Sequence, residues 1–312
     1  MFRCNLKSAV FALSLFMLAP TPAAAETLTL ASWNLEWLGA PQSGPACDAD
    51  ATEETRCKDM AALQRTMRAV NADVIAFQEV KSPAAAAAVF GEDYVLYFSD
   101  RAHRNPQRTD DSEQRTGFAV AKRLVEAGRV MDLPDRILRR STYTRLGAET
   151  AIRLSDGRWL HLLSVHLKSG CSGGLFIGTS DACEDLRAET LTLADWIDER
   201  EMAGVPYMAL GDFNRRFDEE AAGRPPEERM MTALEDGYHA DTRLTLIPSG
   251  RQAICWPEDK TYFLDYMMFG EALRPLVEAG SFIEHRYPVD SARRHQASDH
   301  CPISVRLTVP AG

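Results

Sequence analysis

Five short stretches of this chain set an acid, an amide or an imidazole at the end of an apolar run, and a sixth, around Asp265, buries an acid within one. They are Ser32-Trp33-Asn34-Leu35-Glu36, Phe77-Gln78-Glu79-Val80, Ser164-Val165-His166-Leu167-Lys168-Ser169, Leu210-Gly211-Asp212-Phe213-Asn214, Phe263-Leu264-Asp265-Tyr266 and Ser298-Asp299-His300-Cys301-Pro302. Each has a plain reading on its own. Asn34 and Asn214 suit turns, Glu79 can end a strand, and Asp212 can cap a helix. Their combination matches the needs of phosphodiester hydrolysis: oxygen ligands for a hard cation, a group that activates water, and donors for phosphate oxygens. Glu79, with Glu36 and Asp299, supplies ligands for Mg²⁺, with Mn²⁺ or Ca²⁺ as alternatives. Asp212 with Asn214 orients water, while His166 and His300 donate to phosphoryl oxygens or protonate a leaving group. Asp265 lies between Leu264 and Tyr266, where an unpaired carboxylate would carry a large desolvation cost. It calls for a histidine or a metal as partner; behind an imidazole it would fix the tautomer and raise its pKa. His103, His161, His239, His285 and His295 lack such surroundings and read as structural or surface residues.

Positioning these groups requires strands. Runs rich in branched and aromatic residues recur at Leu28 to Trp33, Val74 to Gln78, Tyr94 to Phe98, Gly117 to Ala121, Trp159 to Leu167, Pro206 to Leu210, Tyr262 to Met268 and Ile303 to Val309. Between some of them lie amphipathic helices. Glu54 to Val70 sets Met60, Leu63, Met67 and Val70 on one face, and Cys183 to Glu201 does the same with Leu186, Leu193, Trp196 and Ile197. Pro83 opens a further helix through the alanine run 84–88. The pattern predicts an α/β chain with two facing mixed sheets wrapped by helices. Short loop-like stretches around 40–51 and 221–228 read as surface insertions, without a linker dividing the chain.

At its polar clusters the sequence resembles the endonuclease/exonuclease/phosphatase superfamily, over nearly all of residues 26–312. The resemblance places Asn34 at the phosphate-side Asn after the first strand and Glu79 at the principal metal ligand. It sets His166 where deoxyribonuclease-like members carry a His and apurinic endonucleases a Tyr. Asp212 and Asn214 match the Gly-Asp-x-Asn signature, Asp265 the acid supporting the last histidine, and Asp299 with His300 the closing Ser-Asp-His. Glu36 is a partial match, standing where apurinic endonucleases have a metal-binding Asp. The implied fold is a four-layer α/β (α+β) sandwich, two packed mixed β-sheets flanked by helices.

Residues 1–25 read as a secretory signal: Arg3 and Lys7, an apolar stretch from Ala9 to Leu18, and small residues at Ala23 to Ala25. Cleavage there predicts a secreted or periplasmic protein comprising one catalytic domain, residues 26–312. It also takes the formal charge from −10 to −12. Such an acidic body argues against a protein that coats nucleic acid, although a local basic strip suffices for a catalyst. Strips are offered by Arg101, Arg104, Arg108 and Arg115, by Arg136, Arg139 and Arg140, and by Arg293 and Arg294. Of the seven cysteines, Cys4 leaves with the signal, and loop closure favours pairing Cys47–Cys57, Cys171–Cys183 and Cys255–Cys301. No CxxC pair points to structural zinc.

Substrate identity is less legible, because a shared site recognises phosphate and loops set specificity. The leading expectation is a nuclease acting on DNA or RNA with little sequence preference, with Arg115, Lys168 and the arginines of 101–108 on the backbone. Next come phosphomonoester or inositol phosphate hydrolysis, then sphingomyelinase-like activity on membrane lipid, in which an apolar tip from Gly173 to Ile177 borders the cleft. A noncatalytic binding or toxin component is the reading outside enzymology. No obligate protein partner is indicated.

Overall fold

The computed structural model describes residues 25–39, 58–99, 114–136, 138, 145–173, 175–236, 242–258, 260–290, 294 and 296–311. Residues 1–24 of the signal segment, the Cys47–Cys57 pair and Arg101, Arg104, Arg108, Arg139, Arg140 and Arg293 lie outside these residues.

Twelve strands form two six-stranded sheets among the described residues. The first contains β1 (Glu26–Leu38), β2 (Val74–Val80), β3 (Tyr94–Phe98), β4 (Arg115–Ala121), β11 (Ile283–Glu284) and β12 (Ile303–Val309), in the order β11-β12-β1-β2-β4-β3. The second contains β5 (Val130–Arg136), β6 (Gly147–Arg153), β7 (Trp159–His166), β8 (Tyr207–Asp212), β9 (Thr245–Ile247) and β10 (Asp265–Phe269), in the order β5-β6-β7-β8-β10-β9. Each sheet is mixed, with one parallel pair, β1–β2 and β7–β8 respectively, among antiparallel neighbours. This is the α/β sandwich expected from the sequence.

The alternation of β1 explains how the sheets pack. Leu28 and Leu30 join Val74, Ala76, Phe118 and Val120 against Leu160, Leu162 and Leu210 of the other sheet. The intervening Ala31, Trp33 and Leu35 turn outward to Leu63, Met67 and Phe90 of two covering helices, α1 (Met60–Val70) and α2 (Pro83–Phe90). Central strands covered on both faces therefore carry apolar residues on both faces over much of their length, as in sheets covered by helices. Pro83 does occupy the first turn of α2, and Ser82 caps it by accepting the Ala85 N–H. The remaining helices are α3 (Lys122–Glu126), α4 (Asp181–Ala203), α5 (Phe217–Gly223) and α6 (Met230–Glu235). Gly204 ends α4 in the left-handed conformation, the usual helix stop.

Four strands escaped the sequence reading for identifiable reasons. β5 holds Asp132, Pro134 and Asp135 and sits at a sheet edge, the one place where a strand tolerates proline and charge. β6 is built from small and polar residues, yet is buried because Glu149 finds Arg200 and His161. β9 and β11 have three and two residues, too few to show a period.

Cys171–Cys183 and Cys255–Cys301 are both disulfide-bonded, as loop closure favoured. The first closes a 12-residue separation and ties the loop after β7 to the first turn of α4. Replacing both Cys171 and Cys183 with Ser is expected to lower the unfolding free energy by about 2–4 kcal/mol, because the unfolded chain regains loop freedom. Guanidinium titrations of the two proteins measure the difference; superimposable transitions would contradict it.

Candidate active site

The polar clusters meet because strand register aligns them. Across the second sheet His166 pairs with Asp212, and Asp212 with Asp265; across the first, Asn34 pairs with Gln78. At this end of the intersheet layer the apolar row gives way to Ser32, Asn34, Gln78, Ser164, His166 and Asp212, all buried. Several of them hydrogen-bond to one another. Gln78 accepts from Ser32 Oγ at 3.4 Å and donates to Ser164 Oγ at 3.1 Å, a bond that ties the two sheets together.

Asn34 Nδ2 lies 3.1 Å from both Glu79 Oε1 and Asp212 Oδ2. His166 Nε2 is 3.5 Å from each of the same two oxygens. Glu79, His166 and Asp212 thus bring three ligand atoms within 4.8 Å of one another, the one such group among the described residues. Two carboxylates converging on one amide and one imidazole suit a divalent cation, which takes oxygen and nitrogen ligands and offsets the clustered negative charge.

A second couple faces this group. His300 Nδ1 donates to Asp265 Oδ2 at 2.5 Å, and its Nε2 lies 3.9 Å from Asp212 Oδ2. Burial opposes charge on His300, but Asp265, Asp299 and Asp212 outweigh it and hold the imidazole pKa well above its ordinary value. Burial pushes Asp212 up to about 7; His300 opposes the rise, and Asp265 and Glu79 add to it. Asp212 Oδ1 accepts the Asn214 N–H at 2.8 Å, and Asn214 Nδ2 donates to the Leu167 carbonyl at 3.0 Å. The Gly-Asp-x-Asn segment therefore fastens its own carboxylate and the strand beside it.

Glu36 and Asp299 also line the cleft, with lysine neighbours. Lys58 Nζ stands 3.0 Å from Glu36 Oε2, and Lys260 Nζ 2.6 Å from Asp299 Oδ2. Burial raises the Asp299 pKa, but His300 and Lys260 outweigh it and hold the carboxyl below the usual range. These two acids therefore line the same cleft but fall outside the tight Glu79–His166–Asp212 group. Arg115 donates to the Lys81 carbonyl, and Lys168 Nζ to the Ser169 carbonyl at 3.0 Å; neither lines the cleft. Arg136 is farther from the chemistry, paired with Glu199, whereas Arg294 does line it. The tip after Cys171 divides: Phe176 is buried beneath Arg215, Leu175 and Ile177 are exposed, and none of the three lines the cleft.

The cleft has a volume of about 400 Å³, and three of its polar residues, Gln114, Arg145 and Lys260, had no motif to reveal them. Arg145 Nε donates to Gln114 Oε1 at 3.0 Å, and its Nη1 to the Leu167 carbonyl at 3.2 Å. Burial lowers the guanidinium pKa, against Glu79, Asp212 and Glu189. An arginine in a stretch already rich in arginine carries no sequence signal; only the closure of β4 against β6 makes it part of the site.

Backbone strain also concentrates here. Five non-glycine residues with left-handed φ are described: Glu36, Trp37, Asn71, Glu79 and Asn214. Asn71 ends α1, an ordinary role, while the other four all line the cleft. Each costs roughly 1–3 kcal/mol, and such outliers cluster at functional sites, where the surrounding structure holds them in place.

The endonuclease/exonuclease/phosphatase family model matches residues 31–300, spanning every one of these groups. The chain belongs to that family. Solved structures with the same fold include TDP2 from C. elegans, 18% identical with a TM-score of 0.55, covering 91% of this chain and 75% of that one. The AP endonuclease LMAP from Leishmania major is 16% identical with a TM-score of 0.56, covering 91% and 88%. The human Nocturnin catalytic domain with bound sulfate anion is 13% identical with a TM-score of 0.53, covering 91% and 97%. No curated protein sequence matches the chain. Endonuclease/exonuclease/phosphatase members are phosphoesterase hydrolases, and their shared fold accounts for the meeting of β1, β2, β7, β8 and β10 at one cleft.

Proposed function

We propose that this protein is a metal-dependent phosphodiesterase that hydrolyses nucleic acid with little sequence specificity, exported after removal of residues 1–25. The observation that carries the reading is the convergence of Glu79, His166 and Asp212 within 4.8 Å, with the Asp265–His300 couple beside them in one cleft. In this reading Glu79, His166 and Asp212 hold a divalent cation, Mg²⁺ first, with Glu36 and Asp299 reaching it from elsewhere in the cleft. When bound, the cation polarises a phosphoryl oxygen and offsets charge that develops during attack.

The chain's own groups do the rest. Asp212, positioned by Asn34 and Asn214, orients the attacking water. His300, charged and held by Asp265, donates a proton toward the leaving oxygen, a role worth about 10²–10⁴-fold. Arg145 and Lys260 offer cationic donors to non-bridging phosphate oxygens without reading bases. Arg115 and Lys168, outside the cleft lining, are assigned to the flanking backbone. Two disulfides fit an oxidising compartment, and no helix of the described residues is long and apolar enough to cross a membrane.

Activity on plasmid DNA, RNA, bis-p-nitrophenyl phosphate, inositol phosphates and sphingomyelin, compared side by side, tests the reading. EDTA is expected to abolish hydrolysis, and added Mg²⁺ or Mn²⁺ to restore it. Persistent turnover in thoroughly metal-stripped protein would exclude the mechanism. Turnover confined to inositol phosphates or sphingomyelin would move the substrate and keep the chemistry.

A further inference from the structure

Trp37 is the unusual residue of the cleft. Trp33, Trp196 and Trp256 are buried and Trp159 is half-buried, but Trp37 is 38% exposed and lines the cleft with Glu79, His166 and Asp212. Its backbone is left-handed, at φ 56°, directly after Glu36 at φ 43°. The pair forms an irregularity in β1 between Asn34 and Leu38, where pairing with β2 shifts register. Its N–H donates to Glu79 Oε2 at 3.1 Å.

That hydrogen bond accounts for the backbone but leaves the side chain unexplained. Glycine or asparagine would adopt the same φ at lower cost and donate the same N–H, whereas a large side chain is strongly disfavoured there. At 38% exposure the residue still presents part of its surface to the cleft, where it can meet whatever enters. Lys81 Nζ sits over the ring, 5.8 Å from its centroid, so an aromatic face and a cation stand together next to the ligand-bearing Glu79. That pairing suits single-stranded nucleic acid, in which bases stack on aromatic side chains and phosphates meet cations.

We infer that Trp37 is a nucleobase-stacking platform flanking the scissile phosphate, with Lys81 holding a neighbouring phosphate. This assignment rests on the phosphodiesterase reading and narrows it to unpaired nucleic acid. It explains how a site that reads no sequence still selects a nucleotide chain: every base has a π face, and stacking tolerates all of them.

The test uses two labelled oligomers of equal length, oligothymidylate and its abasic tetrahydrofuran counterpart, which share phosphates and differ in bases. The unsubstituted protein is expected to cleave oligothymidylate about tenfold or more better in kcat/KM, mostly through KM. In Trp37→Ala that ratio is expected to collapse toward one, and Trp37→Phe to retain most of it. A variant damaged only in folding would slow on both oligomers and keep the ratio, so an unchanged ratio overturns the platform. Equal cleavage of both oligomers by the unsubstituted protein overturns it too. Hydrolysis of bis-p-nitrophenyl phosphate but of neither oligomer removes the platform and leaves the phosphodiesterase reading standing. Silence on every ester removes both.

Discussion

Asp212→Asn is expected to lower hydrolysis of every accepted phosphodiester by about 10²–10⁴-fold, the usual contribution of a positioned acid–base group. The fold should survive. Asn is close to Asp in shape, and its amide oxygen can take over the Asn214 N–H that Asp212 Oδ1 now accepts at 2.8 Å. The substitution also removes a buried charge from beside Glu79 and Asp265, both of which oppose ionisation of Asp212. One cost is visible: an amide nitrogen at the position of Oδ2 would meet the Asn34 Nδ2 donor, 3.1 Å from that oxygen. A lost or mismatched buried hydrogen bond of this kind costs about 1–3 kcal/mol. Hydrolysis rates together with guanidinium titrations check the result. Activity within a few-fold of the unsubstituted protein would dismiss Asp212 from the chemistry, and a collapse of the fold would recast it as structural.

The reach and limits of the sequence are visible in that same neighbourhood. His166 and Asp212 were legible because each ends an apolar strand, and Asp265 because it is an acid set among apolar residues; strand register then aligned all three. The two sheets were legible for the same reason: β1, β2, β7 and β8 are apolar runs with sharp polar ends. Edge strands and very short strands were not, since their composition follows from position in a sheet rather than from a period. Long-range ion pairing was also out of reach. Lys58 and Lys260 come from segments 22 and 39 residues away from Glu36 and Asp299, and neither segment bears a motif. A list of acids therefore suggested three ligands, whereas the folded chain sets Glu79 in a tight group with His166 and Asp212 and leaves Glu36 and Asp299 elsewhere in the cleft, each paired with a lysine. Trp37 was passed over because tryptophan in an apolar run reads as core; only its exposure and its φ distinguish it.

Gly211→Ala is the substitution expected to damage the fold most while changing least in composition. Gly211 has φ +146°, a region L side chains rarely adopt, and it pairs with Val165 across the parallel β7–β8 contact. A Cβ at this position would lie 2.0 Å from the Val165 carbonyl oxygen and 3.0 Å from Gln78 Nε2. The first neighbour is backbone in the middle of a sheet and cannot swing aside. The strands must part, which strains the adjacent His166–Asp212 pair and the Gln78–Ser164 bond between sheets. We expect a loss of about 3–5 kcal/mol in unfolding free energy, in the tail of single-substitution effects and of the kind produced by a special backbone conformation. Hydrolysis should fall with it, since displacing a reacting group by about 1 Å can cost about 10²-fold. Gly223→Ala is the control: a Cβ there meets nothing within 4 Å, so its unfolding midpoint should barely move. If both alanine variants unfold at the same denaturant concentration, the close approach of β7 to β8 is not what demands glycine. If only Gly211→Ala falls, the glycine before Asp212 is explained by a carbonyl one strand away: it lets two parallel strands approach closely enough to bring an imidazole and a carboxylate to one point.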